Sequence, residues 1–212
     1  MLPIIATTPS LLTTITNIAA TIGPTIVKHA PMLLETAGKH LPQIIKTVET
    51  VATILNIISP SERAEDLGAK AMSTDKKPED FDKFNDYIDY LRDEVKVDKT
   101  SLSEEPEDVM ARQIIGTSLL LKGTSETLGT ELTLPFIKTV SVFGLNASLI
   151  VEVVNAYGNS GLNLDDFEHY IAKTLPINQL DKHSDALVIA YQNSDAKLSL
   201  EQAEDAVMDL AL

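Results

Sequence analysis

The 212-residue sequence contains no cysteine and no tryptophan. Without cysteine the chain forms no disulfide framework, no thiolate zinc site and no cysteine nucleophile. Aromatic residues make up only 5% of the chain, so the core is expected to consist mainly of aliphatic side chains. With 44% hydrophobic and 23% charged residues, the composition is that of a folded globular protein rather than a disordered chain.

Positive charge is also scarce. The chain has 17 lysines and arginines against 31 aspartates and glutamates, which gives a net charge of −14. Binding to a nucleic-acid backbone requires a basic surface, so this class of function is not expected. A strongly negative surface favours solubility and fits basic partners.

Charge of either sign is rarest at the start of the chain. No charged residue precedes Lys28, and residues 1–60 hold three lysines and two glutamates, whereas the remaining residues hold 14 basic and 29 acidic groups. The sequence therefore divides by charge into four parts. We expect an uncharged amphipathic segment at 1–60, an acidic helical segment at 61–97, a charged linker at 98–108 and a helical bundle at 109–212, which is able to form one domain with the preceding segments.

The uncharged N-terminal run does not have the features of a signal peptide or a membrane-spanning helix. No basic residue precedes its first apolar residues, so a cytoplasmic location or export by a signal-independent route is expected. Threonines, Pro9 and Pro24 interrupt the run, and a spanning helix requires about 20 predominantly apolar residues.

Apolar residues instead recur at three- or four-residue spacing, which predicts three amphipathic helices within residues 1–60. Ser10 is a candidate N-cap of the first helix, and Gly23-Pro24 is expected to end it, because proline lacks a backbone donor. The apolar stripe is the predicted interaction surface and comprises Leu11, Ile15, Ile18, Ile22, Ile26, Leu33, Leu41, Ile44, Ile45, Val48 and Leu55.

Three interpretations of this stripe remain open. Most periodic apolar residues belong to a core, so the helices are candidates for the buried centre of the bundle. Interfaces between proteins are depleted in charge at their centre, so the helices are also candidates for binding a partner protein or a second copy. Neutral threonine-rich faces enter lipid at lower cost than charged ones, which leaves a membrane-active, toxin-like or translocated protein as the alternative.

The rest of the chain predicts an all-α bundle, with about eight to ten short helices in total. Residues 109–122 are expected to form one helix, followed by a polar break at 123–133. Residues 136–154 are ambiguous: two helices, 135–143 and 147–157, are favoured because Asn146 is able to cap the second, and a short β-hairpin is the alternative. Ser199 and Gln202 form a capping box for the last helix.

No motif in the sequence identifies a reaction. There is no phosphate-binding glycine loop and no nucleophile elbow. The four histidines, His29, His40, His169 and His183, have no zinc-ligand spacing, and no Glu-x-x-His pair accompanies the acidic stripe Asp82, Asp86, Asp89 and Asp93. We therefore expect no metal and no cofactor. The leading hypothesis is a non-enzymatic interaction or assembly protein.

Overall fold

The computed structural model describes residues 9–210, so the first eight residues of the predicted N-terminal segment lie outside the described residues. Within this range the chain forms eleven α-helices and no strand: α1 Pro9–Ile22, α2 Pro24–Ala37, α3 Leu41–Ile54, α4 Ala64–Ala71, α5 Phe84–Asp93, α6 Pro106–Leu128, α7 Leu134–Val142, α8 Ala147–Ser160, α9 Asp165–Ile171, α10 Ile177–Ser194 and α11 Leu200–Leu210. Short 3-10 turns occupy Gly38–His40, Pro78–Asp80 and Lys99–Ser101. The predicted all-α class is confirmed.

The chain divides into two compact units, one up to Thr127 and one from Leu128. In the first unit α1 packs along α2, α2 contacts α3, and α4 contacts α5. In the second unit α10 packs mainly against α8 and α11 and also touches α9, while α7 packs against α9. The core of the second unit contains most of its aromatic rings, with Phe167 in edge-to-face contact with both Phe136 and Tyr157.

The boundary between α1 and α2 follows the prediction. Helix α1 ends at Ile22 and α2 begins at Pro24, with Gly23 between them. Helix α1 already includes Pro9, so Ser10 lies within the first turn and not at the predicted cap position.

The β-hairpin alternative for residues 136–154 is wrong. This region forms α7 and α8, separated by a turn at Gly144, which has a φ of 67°. Asn146 caps α8 as predicted, because its Oδ1 accepts a hydrogen bond from the backbone N–H of Leu149 at 2.9 Å. The cap therefore starts a helix at Ala147, although the alternation of apolar and polar residues before it is also compatible with a strand.

The predicted polar break at 123–133 is also wrong in its first half, because α6 continues to Leu128. Its polar residues are compatible with a helix because Ser125 and Thr127 donate their hydroxyl protons to the carbonyls of Leu121 and Gly123, one turn earlier. Gly123 lies against Ile88 of α5, where a Cβ atom would meet that side chain. The glycine therefore marks a close helix contact and not a helix end.

Helices α4 and α6 cross at very short distance. A Cβ atom on Gly68 would overlap the backbone carbonyl of Arg112, and one on Gly116 would overlap that of Ala64. The crossing therefore requires glycine on both helices. Beside it, Arg112 is 6% exposed, and its guanidinium donates to Glu65 of α4 at 2.9 Å and to the Ser103 carbonyl at 2.9 Å.

Two helix N-termini in the first unit are capped by glutamates from other helices. The carboxylate of Glu126 in α6 accepts hydrogen bonds from the backbone N–H groups of Phe84 and Asn85, both at 2.8 Å, at the start of α5. Glu49 in α3 accepts from the backbone N–H of Ala64 at 2.7 Å, at the start of α4. These carboxylates satisfy free backbone donors and complement the positive end of the helix dipole.

Candidate interaction surface

The structure places most of the predicted interaction surface inside the first unit. Eight of its residues are buried: Leu11, Ile15, Ile22, Ile26, Leu33, Leu41, Ile44 and Val48. Ile18, Ile45 and Leu55 are partly exposed. Because α1 packs along α2 and α2 contacts α3, the stripe is covered largely by the chain's own helices.

What α1 presents to solvent is its opposite side. The exposed residues there are Thr13, Asn17, Ala20 and Thr21, which we call the neutral face. No residue of α1 carries a charge. In a protein of net charge −14, an exposed helix surface without any charged side chain is unusual, since solvated helices normally carry lysine and glutamate.

Four threonines of α1 and α3 donate their hydroxyl protons within their own helix. The Oγ1 of Thr16 donates to the carbonyl of Leu12 at 2.8 Å, and that of Thr21 donates to the carbonyl of Ile18 at 2.7 Å. Thr50 and Thr53 of α3 donate in the same way to carbonyls one turn earlier, at 2.7 and 2.8 Å. A hydroxyl whose proton is already bonded within the helix loses less on leaving water than a free one.

Helices α2 and α3 add a few charges and two large apolar side chains to the exposed surface. Lys28 and Glu35 of α2 and Lys46 of α3 are exposed, as are Met32, at 48%, and Ile54, at 45%. Exposed single apolar residues are common in soluble proteins. They become informative here only because the neighbouring helix α1 lacks charge.

A charged cleft of about 250 Å³ lies beside α4 and is a second candidate site. Its walls include Arg63, Asp66, Lys70 and Lys99 over an apolar floor that includes Leu67. Lys99 pairs with Asp66 at 2.6 Å, and Lys70 donates to the carbonyl of Arg92 at 2.8 Å. These cations already have partners within the chain, so the side chains of the cleft stabilise the position of α4.

Glu62, on the wall of the same cleft, is held as a carboxylate. Burial alone would raise the pKa of Glu62, but the hydrogen bond from the Ser59 backbone and the charge of Arg92 outweigh it, so the pKa is lowered. The Oε2 atom of Glu62 lies 2.7 Å from the Ser59 nitrogen and 3.1 Å from the Arg92 Nε. All three arginines of the chain, Arg63, Arg92 and Arg112, lie next to α4 or its preceding turn.

The acidic stripe of α5 remains at the surface. Asp86, Asp89 and Asp93 of α5 and Asp82, just before this helix, are exposed, and Asp89 pairs with Arg92 at 3.2 Å. Among residues 9–210 no group of three or more histidine, aspartate or glutamate side chains is placed to hold a metal ion. The stripe is therefore a solvated helix face.

The second unit contains a buried polar pair that the spacing did not indicate. His183 is next to Ser184 and close to Asp181 in sequence, but its Nδ1 lies 3.1 Å from the hydroxyl of Tyr157, which is 26 residues away. Both side chains are buried. An apolar pattern on α8 predicts that Tyr157 is inside, but no sequence signal pairs it with a particular histidine.

No helix within the described part of the chain is long and apolar enough to cross a membrane. Comparison of the sequence with protein-family models and with characterised proteins, and of the fold with solved structures, found no significant match.

Proposed function

We propose that this is a non-enzymatic interaction protein that binds a partner protein or a second copy through the neutral face of α1. One observation carries the proposal: four exposed helix positions without charge, in a protein that has 31 carboxylates and a net charge of −14. The centre of a protein interface is depleted in charge in the same manner, because each buried charge must be stripped of water.

The internal hydrogen bonds of the threonines support this role. Since Thr21 has already donated its proton to the Ile18 carbonyl, a partner that covers the face does not leave this hydroxyl donor without a bond. The methyl groups of the threonines and the side chain of Ala20 supply apolar area. The proposed surface thus lies opposite the apolar stripe, with the partly exposed Ile18 at its edge.

The test is a pair of substitutions that charges the face and leaves the helix and the net charge unchanged. N17E/T21K places opposite charges one turn apart, an arrangement that supports a helix by about 0.2–0.5 kcal/mol. The matched control N17Q/T21V alters the same two positions and keeps them uncharged. Circular dichroism should show equal helix content in all three proteins.

We expect the wild type and N17Q/T21V to exceed the monomer mass of 23.1 kDa in light scattering at high concentration, and N17E/T21K to remain monomeric. If the wild type is monomeric at every concentration, binding to a second copy is excluded. A photoactivatable cross-linker at position 20, which is also exposed on the neutral face, then tests for a partner protein in the native cell, and a partner captured equally well with and without N17E/T21K would contradict the proposal.

The membrane-active alternative rests on the same face, because neutral threonines also enter a lipid surface at lower cost than charged residues. Sedimentation with anionic vesicles at pH 7 and pH 5 separates the two functions. Binding to vesicles that N17E/T21K abolishes and N17Q/T21V retains would replace the protein partner with lipid.

A further inference from the structure

A buried histidine lies where three helices of the second unit meet. His183 of α10 is 1% exposed, and its Nδ1 lies 3.1 Å from the Tyr157 hydroxyl of α8. Its ring stacks on Tyr170 of α9, with 6.1 Å between centroids and 20° between planes, and meets the ring of Tyr157 edge to face at 5.3 Å. The imidazole therefore forms part of the packing that joins α8, α9 and α10.

This packing suits the neutral form of the imidazole. Burial lowers the pKa of His183, and the negative charge of Asp166 in α9 offsets this only in part. Burial also raises the pKa of Tyr157 far above its ordinary value, with smaller contributions from Tyr170 and Asp166, so the hydroxyl keeps its proton. Burial, and less strongly the negative charge of Asp209 on α11, raises the pKa of Tyr191 on α10.

We propose that the cluster of His183, Tyr157 and Tyr170 makes the second unit acid-sensitive, so that protonation of His183 in mildly acidic solution loosens α10 from α8 and α9. An imidazolium has a donor on both ring nitrogens, so the Tyr157 hydroxyl must then accept a hydrogen bond. The added charge lies among aromatic rings, where burial without full pairing is costly. Loosening exposes Tyr157 and Phe167, both of which are buried in the neutral form.

The direction of the effect follows from proton linkage. An unfolded histidine takes up its proton near pH 6.5, and the pKa of His183 in the folded unit is lower. At pH values between these two pKa values the open state therefore binds more protons than the closed state. Stability of the closed unit is therefore lost as the pH falls below about 6.5. For one such site the opening equilibrium rises by up to about tenfold between pH 7.5 and 5.5, a window above the ordinary pKa of carboxyl groups.

The test compares the wild type with Y157F/H183F and with the control H169Q. The double variant keeps two rings of similar shape and removes both partners of the polar pair, a change that is close to neutral for folding. His169 is the other histidine of this unit and is exposed, so H169Q removes an imidazole without touching the core. The measurement is amide hydrogen exchange in α10, corrected for the intrinsic exchange rate at each pH.

We expect protection in α10 to fall by up to about tenfold from pH 7.5 to 5.5 in the wild type and in H169Q, and by less than twofold in Y157F/H183F. An equal fall in the double variant, or no fall in the wild type, overturns the proposal. If the double variant does not fold, NMR titration of the wild type decides, with the His183 resonance assigned from H183Q. A midpoint at or above pH 6.5 would then refute the proposal.

Discussion

Helices α1–α3 and helices α4–α6 belong to the same unit but are held together by different interactions. The first group relies on aliphatic contacts between helices that carry almost no charge. The second relies on glycines that allow backbones to touch, on the pair of buried Arg112 with partly exposed Glu65, and on Glu126 at the start of α5. The comparison shows that apolar periodicity describes only one of the two ways in which this chain stabilises its helices.

The largest expected effect is at the glycine crossing. In G116A the new methyl group would overlap the Ala64 carbonyl, so α4 and α6 must separate, and we expect a loss of about 3 kcal/mol or more in the free energy of unfolding. The measurement is urea denaturation followed by circular dichroism.

The matched control is G158A in α8, where the nearest atom to the new methyl group is the Thr130 hydroxyl at 3.3 Å. Alanine favours a helix over glycine, so this variant should be unchanged or stabilised by up to about 1 kcal/mol. Equal stability of G116A and wild type would show that α4 and α6 are not in backbone contact.

A smaller effect is expected at the ion pair of the second group. R112M removes a guanidinium that bonds to Glu65 and to the Ser103 carbonyl, and leaves both acceptors without it. The Glu65 side chain is 33% exposed. We therefore expect the free energy of unfolding to fall by about 2 kcal/mol, which is less than the loss for a fully buried pair.

R63M is the control, since Arg63 is exposed and bonds only to nearby carbonyls of its own turn. Its effect should stay within about 0.5 kcal/mol. A double-mutant cycle of R112M with E65Q measures the coupling between the two side chains, and a coupling energy near zero would contradict this account.

The smallest effect is expected at the cap of α5. E126Q retains the shape of the side chain but loses the charge that accepts two backbone N–H groups, which should cost about 1 kcal/mol. D82N removes an exposed carboxylate just before the same helix and should change stability by less than about 0.5 kcal/mol. Equal effects of the two variants would indicate that general charge, and not the cap, is responsible.

The sequence was sufficient to predict the all-α class, the break at Gly23 and the cap at Asn146, because each depends on residues within one or two helical turns. The buried and exposed sides of α1 could be assigned for the same reason. By contrast, the contacts of Arg112 with Glu65 and of His183 with Tyr157 join residues 47 and 26 positions apart. Such pairs depend on how helices cross, which local periodicity does not specify.

The extent of α6 shows the same limit. Gly123 and the polar residues after it match a helix end when taken alone, because glycine and hydroxyl side chains disfavour helix interiors. Contact of Gly123 with α5 and the internal bonds of Ser125 and Thr127 reverse this preference. Glycine at a helix crossing and glycine at a helix end, such as Gly161 with its φ of 66°, differ in backbone conformation and in their neighbours, and the residue type alone shows neither.

The two glutamate caps imply an order of events during synthesis. The cap of α4 comes from Glu49, 15 residues earlier, so it is present as soon as α4 leaves the ribosome. The cap of α5 comes from Glu126, 41 and 42 residues later, so this ten-residue helix gains it only after α6 has been made. Both helices are too short to be stable alone, and α4 also packs against the later α6 through Gly68, so the nascent chain has the cap of α4 before that of α5 but completes both only with α6.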